Sequence, residues 1–129
     1  MKVLLADDDR VLTNLLSSKL RVLGVDTLVA HDAMQALMSA LRSPPDAIIL
    51  DIQMPGGTGL ETLRKLKANA KTANVPVVVL TGTGNPEMRN QAKSLGAEEY
   101  LTKPVDPDAL YRVLCKIWGL PLDQSSPSS

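Results

Sequence analysis

The chain has 129 residues, enough for one domain with a sizeable core. Its hydrophobic content of 44% and charged content of 22% exclude an intrinsically disordered chain. Basic and acidic residues are balanced at 14 each, so the charge indicates neither a nucleic-acid-binding nor a membrane-binding surface.

The N-terminal segment and the cysteine content bear on the cellular compartment. The apolar run in "MKVLLADDD" is short and three acids follow it, so we expect neither a signal peptide nor a membrane span there. Cys115 is the single cysteine, and a chain without an internal disulfide is typical of a reducing compartment. We therefore expect a cytoplasmic protein.

Short apolar runs recur along the chain and predict five β-strands. The runs are rich in Val, Ile and Leu and do not alternate with polar residues, which is typical of strands covered on both faces. They are "VLLA" (3–6), "TLVA" (27–30), "AIIL" (47–50), "VVVL" (77–80) and the weaker "YL" (100–101).

An amphipathic stretch that predicts a helix follows each run. The predicted N-terminal caps are Asp9, Asp32, Thr58, Asn85 and Asp106. Gln35 and Glu61 complete predicted capping boxes, and Gly24, Gly96 and Gly119 mark predicted helix ends. The apolar residues of the first helix are Val11, Leu12, Leu15, Leu16, Leu20 and Leu23.

Five strand–helix units in strict alternation predict an α/β fold with a parallel sheet and helices on both of its faces. No repeat or second domain is evident. We predict one domain over residues 1–119, followed by "LPLDQSSPSS" (120–129) as a Ser/Pro-rich tail or the start of a linker.

Polar residues come where the chain leaves these strands, at the edge of the sheet where such folds bind ligands. Asp7 and Asp8 follow the first strand and Asp51 follows the third. If the three carboxylates converge, a divalent cation would relieve their repulsion; oxygen ligands favour Mg²⁺, with Mn²⁺ as a substitute. Alternatively, the acids of 7–9 only favour a helix N-terminus, and Asp9 is read as a cap alone.

Thr81 and Lys103 follow the fourth and fifth strands. Each alone is an ordinary surface residue, but beside a metal–carboxylate cluster they complete a receptor for a phosphoryl group. Asp51 is then a nucleophile of the aspartyl-phosphate type.

Four segments together resemble the receiver domains of response regulators in two-component signalling, over about residues 1–119. They are "LLADDD", "IILDIQMPGGTGLE", "VVVLTGTG" and "AEEYLTKP", with Gly56-Gly57 a mild departure from the usual loop. The resemblance implies a flavodoxin-like, CheY-like fold: a five-stranded parallel sheet in the order 2-1-3-4-5 with five flanking helices.

The same resemblance implies a role for each site residue. Asp51 would be the phosphoacceptor, and Thr81 and Tyr100 would form the switch. The implied Mg²⁺ ligands are Asp7, Asp8, Asp51 and the backbone carbonyl of Gln53, with Asp8 more direct than Asp7; Lys103 would contact the phosphate and precede a cis Pro104.

The function implied is a signalling switch rather than an enzyme in its own right. Its phosphoryl donor would be a sensor histidine kinase or a phosphotransfer protein, and its output partner, or a second copy, would dock on the face made by the fourth helix, fifth strand and fifth helix. Two alternatives stay open: a silent dimerisation module, and a Mg²⁺-dependent phosphohydrolase of the haloacid-dehalogenase type. That enzyme class has a second acid two residues after its nucleophile, where Gln53 stands here.

Three other features are set aside from the site. His31 is interpreted as a solvent-facing loop residue without a phosphotransfer role. The stripe of Tyr111, Cys115 and Trp118 is interpreted as packing at a helix edge, with an exposed interface as the alternative. Arg64, Lys65, Lys67 and Lys71 are interpreted as a solvated helix face, since no aromatic residues interleave them.

Overall fold

The computed structural model describes residues 1–54 and 58–121, in which five strands alternate with five helices. The Gly56-Gly57 loop and residues 122–129 of the predicted tail lie outside these ranges. The elements are β1 (Lys2–Ala6), α1 (Arg10–Val22), β2 (Asp26–Ala30), α2 (Ala33–Arg42), β3 (Ala47–Leu50), α3 (Gly59–Ala68), β4 (Val77–Thr81), α4 (Pro86–Ser94), β5 (Glu99–Thr102) and α5 (Pro107–Trp118).

The strands form one parallel sheet in the order β2-β1-β3-β4-β5, which confirms the predicted fold. Ala6 of β1 pairs with Leu50 of β3, and the backbone N–H of Asp51 still donates to Ala6 O (2.9 Å). The register therefore carries Asp7 and Asp51 to the same level at the carboxyl edge of the sheet.

Two apolar cores lie on opposite faces of the sheet, because successive strand side chains point to opposite sides. One core joins residues such as Leu4 and Ile48 to α2, α3 and α4. The other joins residues such as Leu5 and Ile49 to α1 and α5. Strands β1, β3 and β4 are thus covered on both faces, as their unbroken apolar runs predict.

The prediction that β2 is also covered on both faces is wrong. β2 is an edge strand, and Leu28 and Val29 are 41% and 38% exposed. The apolar face of α1 is also wider than its buried face: Leu16 and Leu20 are buried, whereas Val11 is 79% exposed and Leu15 is 54% exposed. Apolar residue type alone therefore did not distinguish the buried positions from the exposed ones.

The predicted helix caps are confirmed by hydrogen bonds from backbone N–H groups to the five cap side chains. Neither predicted capping box is complete among the described residues. Asp32 accepts from Gln35 N, but Gln35 Oε1 accepts from His31 N (2.9 Å), one residue before the cap. Thr58 accepts from Glu61 N (3.2 Å), but the Glu61 side chain pairs with Arg64 (3.0 Å). No helix within residues 1–54 and 58–121 is long and apolar enough to cross a membrane.

Gly59 at the start of α3 allows the helix to approach the segment that follows β3. The N–H of Gly59 donates to Ile52 O (3.1 Å), and a Cβ atom at residue 59 would lie 2.1 Å from Ile52 Cα. Non-bonded carbon atoms do not approach so closely. Glycine at residue 59 therefore allows the start of α3 to pack directly against Ile52, the residue after Asp51.

Gly59→Ala should lower the free energy of unfolding by about 1–3 kcal/mol or more, because the new methyl group would overlap with the Ile52 backbone. Helix propensity alone would favour alanine, so the sign of the effect tests the close approach. Gly84→Ala is the matched control, since its Cβ would have its nearest contact at an ordinary 3.5 Å. Urea unfolding measures both; equal stability of the two variants would contradict the packing described.

Candidate functional site

The carboxyl ends of β1, β3, β4 and β5 bring the predicted site residues together. Asp7 and Asp51 follow adjacent strands, and Thr81 is the last residue of β4. The backbone N–H of Lys103 donates to Thr81 O (2.8 Å), which aligns the end of β5 with the end of β4. The peptide bond between Lys103 and Pro104 is cis, as predicted.

Three carboxylates form the centre of the site. Asp7, Asp8 and Asp51 each offer an oxygen atom, and these atoms all lie within 4.8 Å of one another. Asp7 and Asp51 are buried, whereas Asp8 is exposed. The convergence predicted from the sequence is therefore present, with one acid facing solvent.

Lys103 is the cation of this cluster. Its Nζ lies 2.8 Å from Asp7 Oδ2 and 3.2 Å from Asp51 Oδ2. Burial alone would lower the pKa of the Lys103 ammonium group, but the pairs with Asp7 and Asp51 outweigh it, so the pKa is raised. Lys103 therefore stays charged and offsets part of the repulsion between the two acids.

Backbone N–H groups hold the buried carboxylates in place. Asp9 N donates to Asp7 Oδ1 (2.9 Å), and Gln53 N donates to Asp51 Oδ1 (2.8 Å). In both cases the donor is two residues beyond the acceptor, as in an Asx turn. The remaining oxygen of each acid is thus directed toward Lys103.

The Asp7 carboxylate is under electrostatic strain. Burial raises the pKa of Asp7 above its ordinary 3.8, and the Asp51 charge adds to the rise; Lys103 and the Asp9 N–H only partly offset it. Asp7 Oδ2 is buried, and its close partner among the described residues is Lys103 Nζ (2.8 Å), an ion pair without the alignment of a well-directed hydrogen bond. Three converging carboxylates with one lysine keep an excess of negative charge, and this oxygen-only set of ligands fits a hard divalent cation.

Thr81 and Gln53 are joined at the side of the cluster. The Thr81 side chain is buried, and its hydroxyl donates to Gln53 Oε1 (3.2 Å). Sequence reasoning did not find this contact, because the two residues lie on neighbouring strand ends 28 positions apart. The predicted role of the Gln53 carbonyl as a metal ligand stays a prediction.

Tyr100 connects the same edge of the sheet to α4. Its ring is buried, and its hydroxyl donates to the backbone carbonyl of Thr83 (2.8 Å). The Tyr100 side chain therefore already points inward in this structure. Arg89 of α4, which sequence reasoning missed, places its guanidinium carbon 5.5 Å from the centre of the Tyr100 ring, a cation–π distance.

The interpretation of His31 as a solvent-facing residue away from the site is wrong. The residue is half-buried, and its Nδ1 lies 3.0 Å from the backbone carbonyl of Asp7. The available signal was the strand order: β2 lies beside β1, so the residue after β2 comes next to the residue after β1.

The other two features set aside lie away from the site. Cys115 is buried, and Trp118 is half-buried and donates from Nε1 to Asp46 O (3.0 Å), in agreement with packing at a helix edge. In the basic cluster, three residues are exposed as predicted, but Lys67 is half-buried and donates to Val75 O (2.9 Å), so the prediction of a solvated face is wrong for Lys67.

Most of the chain matches a family of known proteins. The model of the response regulator receiver domain matches residues 3–114. The transcriptional regulatory protein CpxR of Klebsiella pneumoniae is 44% identical over 103 residues, which cover 80% of this chain and 43% of that protein. The chain thus spans less than half the length of this relative.

Two solved structures have the same fold at about 30% identity. The chemotaxis response regulator CheY4 of Vibrio cholerae gives a TM-score of 0.84 at 31% identity, over 90% of this chain and 97% of that one. The receiver domain of the sensor histidine kinase PA1611 from Pseudomonas aeruginosa gives 0.84 at 30% identity, over 92% and 97%. In that structure a magnesium ion is coordinated in the active site cleft.

Asp7→Asn should raise the melting temperature in EDTA by a few degrees, because it replaces a charge that burial destabilises while its Oδ1 still accepts from Asp9 N. Asp9→Asn is the matched control: this exposed acid caps α1 through Leu12 N, and asparagine caps equally well.

The same acid sets a pH dependence. With a raised pKa, folded Asp7 binds more protons than unfolded Asp7, so the stability of the parent in EDTA should fall as pH rises from 3.8 through the raised value. Asp7→Asn should remove that part of the slope in melting curves over a pH series. A melting temperature of Asp7→Asn at or below the parent's would contradict the electrostatic strain.

Proposed function

This chain belongs to the response regulator receiver domain family of two-component signalling, and we propose that Asp51 accepts a phosphoryl group from a sensor histidine kinase or a phosphotransfer protein. The general role of the family is that of a phosphorylation-activated switch.

The contact between Lys103 and Asp51 carries the proposal. Asp51 is 3% exposed, and Lys103 Nζ lies 3.2 Å from its Oδ2. A buried carboxylate paired with a lysine and crowded by Asp7 serves no packing purpose, since hydrophobic residues would be more stable there. The same groups suit a site that receives a negatively charged phosphoryl group, because Asp51 can accept the group and Lys103 can pair with its oxygens.

The transfer itself needs little from the protein beyond orientation and charge. A carboxylate oxygen of Asp51 attacks the phosphorus of a phosphohistidine donor; the new P–O bond forms as the P–N bond breaks. The donor imidazole leaves with that electron pair and is protonated. Gln53 N–H holds the attacking carboxylate, and Lys103 pairs with the oxygens of the incoming group.

A divalent cation would be held by Asp7, Asp8, Asp51 and the Gln53 backbone carbonyl. When bound, Mg²⁺ supplies positive charge that offsets the charge on the phosphoryl oxygens; Mn²⁺ has the same preference for oxygen ligands. The convergence of three carboxylates, whose negative charge exceeds the single positive charge of Lys103, supports this assignment. Asp8, the exposed acid, is the member that a hydrated ion reaches from solvent.

The switch would begin with an exchange of hydrogen bonds at Thr81. The hydrogen bond from the Thr81 hydroxyl to Gln53 Oε1 would break, and the hydroxyl would donate to a phosphoryl oxygen instead. A neutral hydrogen bond contributes about 1 kcal/mol and one to a charged group about 1.5–3 kcal/mol. The difference of about 1 kcal/mol shifts a two-state equilibrium several-fold.

The response would leave the site through the loop between β4 and α4. Thr81 begins this loop, Tyr100 OH holds its Thr83 carbonyl, and Arg89 places α4 over the Tyr100 ring. Movement of Thr81 is thereby coupled to the face formed by α4, β5 and α5. We assign the output partner to that face, with a second copy of the chain as the alternative occupant, and assign no direct contact with nucleic acid or membrane.

Incubation with Mg²⁺ and acetyl phosphate should add one phosphoryl group per chain, measured by intact mass spectrometry. Asp51→Asn should abolish the modification, because the amide is a poor nucleophile. Asp9→Asn, whose side chain only caps α1, should be modified like the parent. Turnover of the donor without modification would favour the phosphohydrolase, and neither turnover nor modification would favour the silent module.

Beryllofluoride, a phosphoryl mimic, should shift the amide NMR signals of α4 and β5 far more than those of α1 and α2. Thr81→Ala should be phosphorylated more slowly and lose the shifts in α4 and β5, since it lacks the hydroxyl that moves. Thr102→Ala, an exposed threonine at the neighbouring strand end, should keep them. Parent shifts confined to the loops around Asp8, Asp51 and Lys103 would contradict the switch.

A further inference from the structure

His31 extends the pairing between β1 and β2 beyond the end of the strands. Asp7 N donates to Ala30 O (2.9 Å), the last backbone hydrogen bond of that ladder toward the site. In a parallel ladder, the next rung would bring the backbone N–H of residue 32 to Asp7 O. Instead, the chain turns into α2, and the His31 imidazole lies 3.0 Å from Asp7 O.

The direction of this bond fixes the tautomer of the ring. A carbonyl oxygen only accepts hydrogen bonds, so Nδ1 of His31 must carry the proton. The backbone of His31 is held as well, because its N–H donates to Gln35 Oε1 (2.9 Å) from the first turn of α2. His31 is thus held at both ends: its backbone is bound to α2, and its ring is bound to the segment after β1.

The carbonyl that His31 holds belongs to the peptide group between Asp7 and Asp8. Asp7 Oδ1 and Asp9 N hold the next turn of the same segment. With its carbonyl fixed, this peptide plane cannot rotate freely, and its orientation sets the direction in which Asp8 leaves the backbone. Asp8 is the exposed acid of the cluster.

We propose that His31 is a positioning residue for the divalent cation site: through the Asp7 carbonyl it orients Asp8 toward Asp7 and Asp51. The proposal rests on the cation site of the proposed function. Residues that orient metal ligands typically change metal affinity about 10-fold to 100-fold when replaced. Since His31 acts through the backbone, we expect an effect of about 10-fold, at the lower end of that range.

Two near-isosteric variants separate the hydrogen bond from the size of the side chain. The asparagine Nδ2 occupies the position of the imidazole Nδ1, so His31→Asn should bind Mg²⁺ within about twofold of the parent. His31→Gln has its amide one bond further out, where the imidazole has Nε2, and His31→Ala has no donor. Both should bind Mg²⁺ about 10-fold more weakly.

Isothermal titration calorimetry with Mg²⁺ alone, at about pH 8, measures the Mg²⁺ affinity of the parent and of each variant. Binding by His31→Gln within twofold of the parent would overturn the proposal. So would His31→Asn as weak as His31→Gln, because the Nδ1 donor would then not be the cause. Thermal melting of each variant reports stability separately from affinity.

Nitrogen-15 NMR of the imidazole in the parent tests the hydrogen bond without any substitution. A neutral ring protonated on Nδ1 supports the proposal, and protonation on Nε2 alone overturns it even if a variant does not fold. Asp8→Ala distinguishes failure of the cation site from failure of the positioning role. If Asp8→Ala binds Mg²⁺ as tightly as the parent, the cation site of the proposed function is wrong. If Asp8→Ala weakens Mg²⁺ binding but the His31 variants do not, the cation site stands and the positioning role of His31 is wrong.

Discussion

The repulsion between buried carboxylates at the carboxyl edge of the sheet is the constraint on which the site depends. Asp7 and Asp51 directly follow two adjacent parallel strands, and the pairing of Ala6 with Leu50 holds the two acids side by side. Lys103 offsets the charge without removing it, since the pKa of Asp7 remains raised by its burial. The fold therefore holds an excess of negative charge at this edge of the sheet, which a divalent cation would relieve.

The parts of the structure set by local patterns were predictable. Unbroken apolar runs located β1, β3 and β4, and cap residues such as Asp9 and Thr58 located helix starts, because both patterns act within a few residues. The site acids were predictable for a related reason: in a parallel sheet, all residues that follow strands collect at one edge. The strand order and the individual roles required the family resemblance.

The parts that depend on neighbours distant in sequence were not predicted from residue patterns. The apolar run of β2 overestimated its burial, although the strand order implied by the family resemblance already places this strand at an edge. His31 was misinterpreted for the same reason, since its partner, the Asp7 carbonyl, is a backbone atom that no residue type advertises. The bond between Thr81 and Gln53 depends on side-chain conformations at two strand ends.

The place of β5 in the sheet has a consequence for local unfolding. β5 is the other edge strand and is four residues long; among the described strands, it pairs with β4 alone. It contains Tyr100 and leads directly into Lys103, so fraying of this strand would withdraw the ring and the ammonium group in a single event. Edge elements open at a lower free energy than central ones. A molecule that binds along folded β5 would therefore shift the local unfolding equilibrium toward the folded strand. It would thereby keep the Lys103 ammonium group beside Asp51 without contacting the carboxylates.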